Sequence, residues 1–397
     1  MKYLIEQGPT FNEAHDANTA EAHDYFKKVQ AWLSVTDESI SSVDIRAREF
    51  GQEAVPFRTM LKFIESEYVI KKLKRPVLLT LINPVYKETG RMQSREKHPH
   101  GENSLRTKIE CIRYFESLNS NFKGRIFVID DECPNGSGKM AEEILSEYSE
   151  SPHQVFFLGN AIDDDDPDLP TGITHKDGQN RSVKGGAALF GMRKALQGHT
   201  EELHIIVDND ADLSVHPMQI GLLIKDIADG NTRAVAGSRR EDDSVALIGA
   251  GRNQRGSLFI RIWQHFLPEL AQKITDTNRA FKAFESKALE KILPLIRIYT
   301  FPYQIELLQA CISNEIPLIK NGISYIDSEA ASTQSGANAT ESYLNQIHQI
   351  IDIARRYSTI EETDGLMEYF LSISEEEWRN IEADPPEDLM RLLETDN

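Results

Sequence analysis

The chain has 397 residues, 40% of them hydrophobic and 27% charged, and its 44 basic against 63 acidic side chains leave a net charge of −19. This is the composition of a folded globular protein, and its acidic balance excludes sequence-independent nucleic-acid binding, which needs a surplus of Lys and Arg. No apolar run of bilayer length exists, so no integral membrane segment is expected. Three cysteines, Cys111, Cys133 and Cys311, form no Cys-x-x-Cys pair, which argues against a disulfide framework or a cysteine zinc site. Residues Met1 to Glu6 lack the apolar stretch of a secretory signal, and the cytoplasm is the expected compartment.

In chain order, Ala20 to Leu33 and Phe57 to Ile70 carry apolar residues at spacings of three and four and are expected to be helices packed on the main domain. Val77 to Ile82 is a short apolar run ended by Asn83-Pro84, which predicts a buried strand and a loop. A helix is expected over Ser104 to Leu118, a second strand over Arg125 to Ile129, a helix over Met140 to Tyr148, and a third strand over Gln154 to Leu158. After a polar loop holding Asp163 to Asp166, Gly186 to Leu196 reads as a helix and His204 to Val207 as a fourth strand. Strands alternating with helices predict a mainly parallel sheet covered on both faces, with ligands at the carboxyl ends of its strands. Beyond residue 330 the chain turns polar, then helical from Glu341 to Tyr357, and ends in an acidic segment expected to fray. We expect three units: a helical extension over 1–74, the α/β core over 75–330 and a helical, acidic segment over 331–397. The charge is uneven. Residues 71–125 hold 13 basic against 5 acidic side chains, a basic island suited to a polyanionic small molecule, whereas residues 361–397 hold 2 against 13.

Three motifs carry chemistry. Asp208, Asp210 and Asp212 alternate just past a buried strand. A hard divalent cation with oxygen ligands would compensate such carboxylates, and an Asp-rich turn capping the next helix is the alternative. Asp130 and Asp131 end the second strand before Cys133-Pro134-Asn135-Gly136, where a carboxylate could accept a base imide N–H or a ribose hydroxyl. Gly136-Ser137-Gly138-Lys139 is not a phosphate loop, because Cys133 stands where that pattern needs Gly and Met140 where it needs Ser or Thr. Lys184-Gly185-Gly186 opens a helix whose backbone N–H groups could meet an anion, or is simply a tight turn.

Taken in order, Asn83-Pro84-Val85-Tyr86-Lys87-Glu88, Val128-Ile129-Asp130-Asp131, Lys184-Gly185-Gly186-Ala187-Ala188, Asp210-Ala211-Asp212-Leu213-Ser214, Ala236-Gly237-Ser238-Arg239, Asp276 to Phe284 and Ile305-Glu306-Leu307-Leu308 resemble the family-2 glycosyltransferases. The polyprenyl-phosphate (dolichyl-phosphate type) glucosyl- and mannosyltransferases look most similar, over roughly residues 75–330. The resemblance implies an α/β glycosyltransferase-A fold, a mainly parallel sheet flanked by helices with further helices at both ends. It also implies transfer from a nucleoside-diphosphate sugar with inversion at the anomeric carbon. It places Pro84, Tyr86 and Glu88 along the nucleotide pocket, Asp131 on the base with Asp130 beside it, and Lys184 and Gly185 at the nucleotide's border. Asp210 and Asp212 hold Mg²⁺ or Mn²⁺ against the diphosphate, with Asp210 also touching the donor. Arg239 and Arg252 are the cations near phosphate, and Glu306 is the acid near the acceptor, a general base if the acceptor is a hydroxyl and a purely structural helix-face carboxylate if the acceptor is an already anionic phosphate.

Two departures from that pattern stand out. Arg279-Ala280 replaces the small residue and Gly usual in relatives, on the acceptor side. The basic segment Arg91 to Asn103 is longer than usual, and Arg91, Arg95 and Lys97 are expected to grip a phosphate of donor or acceptor. His98 and His100 are not expected to bind metal. The acidic tail repels anionic lipid, which favours a soluble small-molecule or phosphorylated acceptor. A lipid-phosphate glycosyltransferase recruited by a partner and a non-catalytic nucleotide-sugar-binding scaffold are the alternatives. The N-terminal helices are plausible interface material for a homo-oligomer.

Overall fold

The structure, a computed structural model, describes residues 1–148, 152–173, 175–176, 179–180, 182–198, 202–248, 250–328, 342–361 and 363–393, with the backbone alone for 175–176, 179–180 and 250–257. The strands used below are β1 (Val77–Val85), β2 (Phe122–Asp130), β3 (Gln154–Phe157), β4 (Leu203–Asp208), β5 (Ala234–Ser238), β6 (Val245–Leu247), β7 (Lys282–Glu285), β8 (Leu318–Gly322) and β9 (Ser324–Ile326). The central sheet runs β8-β5-β7-β4-β1-β2-β3. It is parallel except for β7, which lies antiparallel between β4 and β5. β6 and β9 form a separate parallel pair.

Alternation along the strands sorts the two faces. Leu79, Leu81, Ile126 and Val128 pack with α3 (Ser104–Leu118) and α6 (Ile220–Ala228) on one side. Ile82, Phe127 and Ile129 pack with α5 (Gly185–Leu196), α7 (Ala250–Phe266), α8 (Tyr303–Ser313) and α9 (Tyr343–Arg356) on the other. The mainly parallel α/β sheet flanked by helices is therefore as expected.

Three local expectations need correction. β1 does not stop at Ile82: Asn83 and Pro84 continue in register with Val128 and Ile129. The β4 pairing ends at Ile82–Asp208, so beyond it β1 has no neighbour on that side, and a proline without an N–H is tolerated. Leu158 opens a short helix, Leu158–Asp163, instead of ending β3. The acidic tail is folded as far as it is described. Helices Gly365–Ser372, Glu375–Ala383 and Glu387–Leu392 bury Met367, Phe370, Trp378 and Leu389 in the core that holds α5 and α8. Acidic residues open the Glu375 helix, where they favour its N-terminus, and Ser374 and Glu377 form a capping box there.

The N-terminal helices form on similar local signals. Thr19 Oγ1 accepts from Ala22 N (3.2 Å) to start α1 (Ala20–Ser34), and α2 (Val55–Lys71) begins with Pro56 in its first turn. α2 lies against the core. Gly221 N donates to Ser66 Oγ (2.8 Å), and the Thr59 and Ser324 hydroxyls meet at 2.7 Å. Among the described residues no helix is long and apolar enough to cross a membrane.

Candidate active site

Strand ends bring the motifs together. β1, β2 and β4 finish side by side at Val85, Asp130 and Asp208, so the segments 86–91, 131–137 and 209–214 leave the same edge. α5 reaches that edge with its first residues. Asp131, at the end of β2, accepts from Lys184 N (2.8 Å), and the Lys184 ammonium pairs with Asp210 Oδ1. Three motifs separated by up to 79 positions in the chain thus form one connected cluster. Burial works against the Lys184 charge, but Asp210 and Asp208 outweigh it and raise its pKa. Burial likewise opposes ionisation of Asp210, yet Lys184 and Arg279 hold its carboxyl well below the usual range. Asp210 stays ionised and partly open.

The acid loop is held by side chains that the motif pattern did not single out. Lys108, fully buried on α3, donates to Asn83 Oδ1 (2.7 Å), Asp210 O (2.5 Å) and Ala211 O (2.9 Å). Burial lowers its pKa to about 8. Glu102 accepts from Leu213 N (2.8 Å) and from the Ser328 hydroxyl (2.5 Å). Behind the loop, Asp208 accepts from Tyr303 Oη (2.6 Å) and Gln304 Nε2 (3.3 Å), while its Oδ1 is buried with no hydrogen bond among the described residues. Gln304 also accepts from Lys282 (2.9 Å), whose pKa burial lowers to about 8. One signal for Lys108 was present. It shares the apolar stripe of Leu105, Ile109 and Ile112, where a lysine must find acceptors.

Several expected site residues have polar groups already engaged within the protein. Asp130 accepts from Cys133 N (2.7 Å) and Gly138 N (2.6 Å), so its carboxylate ties the 131–137 turn to the start of the following helix. Glu88 takes two bonds from Arg91 Nη1 (2.7 and 2.9 Å), and its N–H donates to Ser137 Oγ (2.9 Å). Pro84 is buried within β1, and Tyr86, partly buried, begins the loop beyond it. Gly185 and its neighbours offer no N–H to an anion. Gly185 N goes to Val183 O, Gly186 N to Tyr299 O, Ala187 N to Ser182 Oγ and Ala188 N to Lys184 O, between 2.7 and 3.1 Å. Gly185 is required by crowding: a Cβ there would stand 2.6 to 2.8 Å from the Tyr299 and Thr300 backbone.

Of the two roles open to Glu306, its surroundings fit the structural one. Its carboxylate is fully buried, accepts from Arg297 N (3.0 Å) and Ile298 N (2.7 Å), and pairs with Arg356 of α9. It ties α8 to the preceding turn and to the C-terminal helices, so it is not placed to take a proton from an acceptor. In the basic segment, Arg91 is on Glu88 and Arg95 on Glu13 and Pro99 O, so two of the three cations expected to grip phosphate already have acceptors within the protein. A cavity of about 270 Å³ beside that segment is lined by Lys87, Glu88, Arg91, His98, His100 and Asn135. Arg239 donates through Nε (2.6 Å) and Nη2 (2.9 Å) to both oxygens of Asp276, whose pKa is held at about 2. The Arg252 side chain lies outside the described residues.

The Asp210–Asp212 pair suits a hard divalent cation. Both carboxylates are partly open, and Asp212 uses one oxygen to accept from Ser214 N (3.0 Å). Among the described residues no three His, Cys, Asp or Glu side chains form a protein-only cage. Two carboxylates completed by water and substrate phosphate is the way Mg²⁺ is usually held.

No protein-family model matches the chain. In sequence it is 25% identical over 219 residues to a polyprenol monophosphomannose synthase of Mycolicibacterium smegmatis, covering 54% of this chain and 72% of that protein. Among solved structures it is similar to mannosyl-3-phosphoglycerate synthase from Rubrobacter xylanophilus (12% identity, 77% and 82% of the two chains, TM-score 0.48). It is also similar to glucosyl-3-phosphoglycerate synthase from Mycobacterium tuberculosis in complex with Mn²⁺, UDP-glucose and phosphoglyceric acid (15% identity, 76% and 85%, TM-score 0.47). The likeness to family-2 glycosyltransferases carried by the motifs is borne out by the relationship to the M. smegmatis enzyme, and the mainly parallel sheet flanked by helices is the architecture which that likeness implied.

Proposed function

We propose that this chain is a glycosyltransferase that moves a hexose, glucose first among candidates, from a UDP-linked donor to an acceptor that carries its own negative charge. The linked Asp131–Lys184–Asp210 cluster carries the reading, because it joins a carboxylate suited to a base or ribose with a cation and a carboxylate suited to a diphosphate. Mg²⁺ or Mn²⁺ held by Asp210 and Asp212 would stabilise charge on the departing diphosphate. Lys108 and Glu102 fix the loop that presents these two carboxylates, and Lys184 stands ready to meet a phosphate oxygen in place of Asp210.

Inversion, which the family resemblance implies, requires attack from the face opposite the diphosphate. Because Glu306 is used inside the protein, an attacking oxygen that is already ionised fits this chain better than a neutral hydroxyl awaiting a base. A soluble phosphorylated metabolite is the first reading of the acceptor. A polyprenyl phosphate is the second, favoured by the relationship to the M. smegmatis enzyme.

Thermal stabilisation by a panel of nucleoside diphosphates with and without Mn²⁺ tests the donor half. UDP at about 100 times its dissociation constant adds roughly 2.7 kcal/mol, but only with the metal. An equal shift without Mn²⁺, or none with any nucleotide, contradicts the reading.

A further inference from the structure

Two arginines approach the ring of Tyr325, Arg279 at 4.9 Å and Arg239 at 5.1 Å from its centroid. Their charges are used differently. Arg239 is neutralised by two short bonds to Asp276. The Arg279 guanidinium has, among the described residues, one hydrogen bond, Nη1 to Tyr325 Oη at 3.2 Å. It also stands 3.8 Å from Asp210 Oδ2, beyond direct bonding, and its Nε is buried with no acceptor among the described residues. A guanidinium presents five N–H donors in a planar fork, and leaving them unpaired out of water is costly. Yet the side chain is about a quarter exposed, so a ligand can reach it.

The position of Arg279 in the fold says which ligand. Asp131 and Glu88 lie at the ends of β2 and β1, on one side of the Asp210 loop. Arg279 lies on the other side, in the segment that feeds β7, next to β4. A donor with its base near Asp131 and its diphosphate at Asp210 leaves the β7 side to the acceptor. Charge agrees with this. Arg279 and Lys184 together face Asp210, so an anion placed beyond that carboxylate meets two cations, although Asp212 and Asp276 also act on Arg279.

We propose that Arg279 binds an anionic group of the acceptor, a phosphate or carboxylate, and so sets the acceptor class. The proposal rests on the nucleotide-sugar reading of the site. A planar fork matches such oxyanions in a bidentate way that a lysine does not reproduce.

The test is calorimetric titration of the full chain as wild type, Arg279→Met and Arg279→Lys, each first titrated with UDP and Mn²⁺. The UDP-loaded forms then receive glycerol 3-phosphate, 3-phosphoglycerate, undecaprenyl phosphate in detergent, and glycerol as the uncharged control. Wild type is expected to bind at least one anionic probe and not glycerol. Arg279→Met, which keeps the apolar stem on Tyr325, weakens that probe tenfold or more, and Arg279→Lys recovers part of the loss. UDP affinity stays within twofold across the three proteins, and their melting temperatures confirm folding. Binding of the soluble probes alone, or of the lipid alone, identifies the source of the oxyanion and supports the proposal either way. Unchanged probe affinity in Arg279→Met, a loss of UDP affinity instead, or no anionic probe binding to UDP-loaded wild type overturns it. Failure of wild type to bind UDP with Mn²⁺ overturns the donor reading, and the proposal with it.

Discussion

Asp210 and Glu306 are both carboxylates paired with cations, and the difference between them separates a reactive region from a structural one. Glu306 has no exposure, takes backbone N–H bonds on both oxygens, and joins α8 to α9 through Arg356. Asp210 is partly open, and its partners are the side chains of Lys184 and Arg279, which can move. Its position is set from behind, by Lys108 holding its carbonyl. Backbone donors cannot leave without unfolding a turn, whereas a lysine can exchange a carboxylate for a phosphate. The contrast therefore lies in who the partners are, more than in charge or depth.

The largest effect expected from this contrast is at Asp210. Asp210→Asn should fold with a melting temperature close to wild type and lose about 10³-fold in turnover, the scale of removing one electrostatic stabiliser of the departing charge. Glu306→Gln should do the reverse. Breaking a buried pair costs about 3 kcal/mol or more, seen by denaturant unfolding, while the folded fraction turns over near the wild-type rate. If Glu306→Gln instead abolished turnover without loss of stability, the two regions would have been assigned the wrong way round.

Lys108→Met sharpens the comparison from behind the loop. Removing donors to the Asp210 and Ala211 carbonyls should weaken Mn²⁺ binding by roughly 10–100-fold, as other supports of metal ligands do. Nucleotide binding without metal should change little.

The smallest effect concerns a buried group far from any proposed ligand. His204, inside β4, meets Thr80 Oγ1 at 2.8 Å, and burial lowers its pKa from 6.5 to about 4. The unfolded chain then binds the proton first, so stability is full above about pH 6.5 and declines as pH falls through about 4. His204→Gln should flatten the melting temperature across that window.

How much of the molecule can be read in the sequence depends on how locally each signal is written. β1, β2 and β4 are continuous apolar runs and were legible. β5 is Ala-Val-Ala-Gly-Ser and β7 only four residues long, too short and mixed to distinguish from a loop, although both sit in the sheet. The family resemblance located Asp131, Lys184 and Asp210, and the structure connects them. It also pointed to Asp130, Glu88, Gly185 and Glu306, whose polar groups are used by nearby backbone or side chains. For Asp130 the signal was local, since an Asp three residues before Cys133 and eight before Gly138 can cap the turn between them. For Glu306 nothing local revealed its partner, because Arg356 is 50 positions away. Arg279 is visible as a departure, but the hydrogen bond of its guanidinium depends on Tyr325, which only the fold brings near.

We take Asp131, Lys184 and the Asp210–Asp212 loop to form a metal-assisted nucleoside-diphosphate site. It is tested most directly by titrating UDP into wild type and Asp210→Asn, each with and without Mn²⁺. Mn²⁺ is expected to tighten UDP binding tenfold or more in wild type and to have little effect in the variant. Equal metal dependence in the two proteins would contradict it.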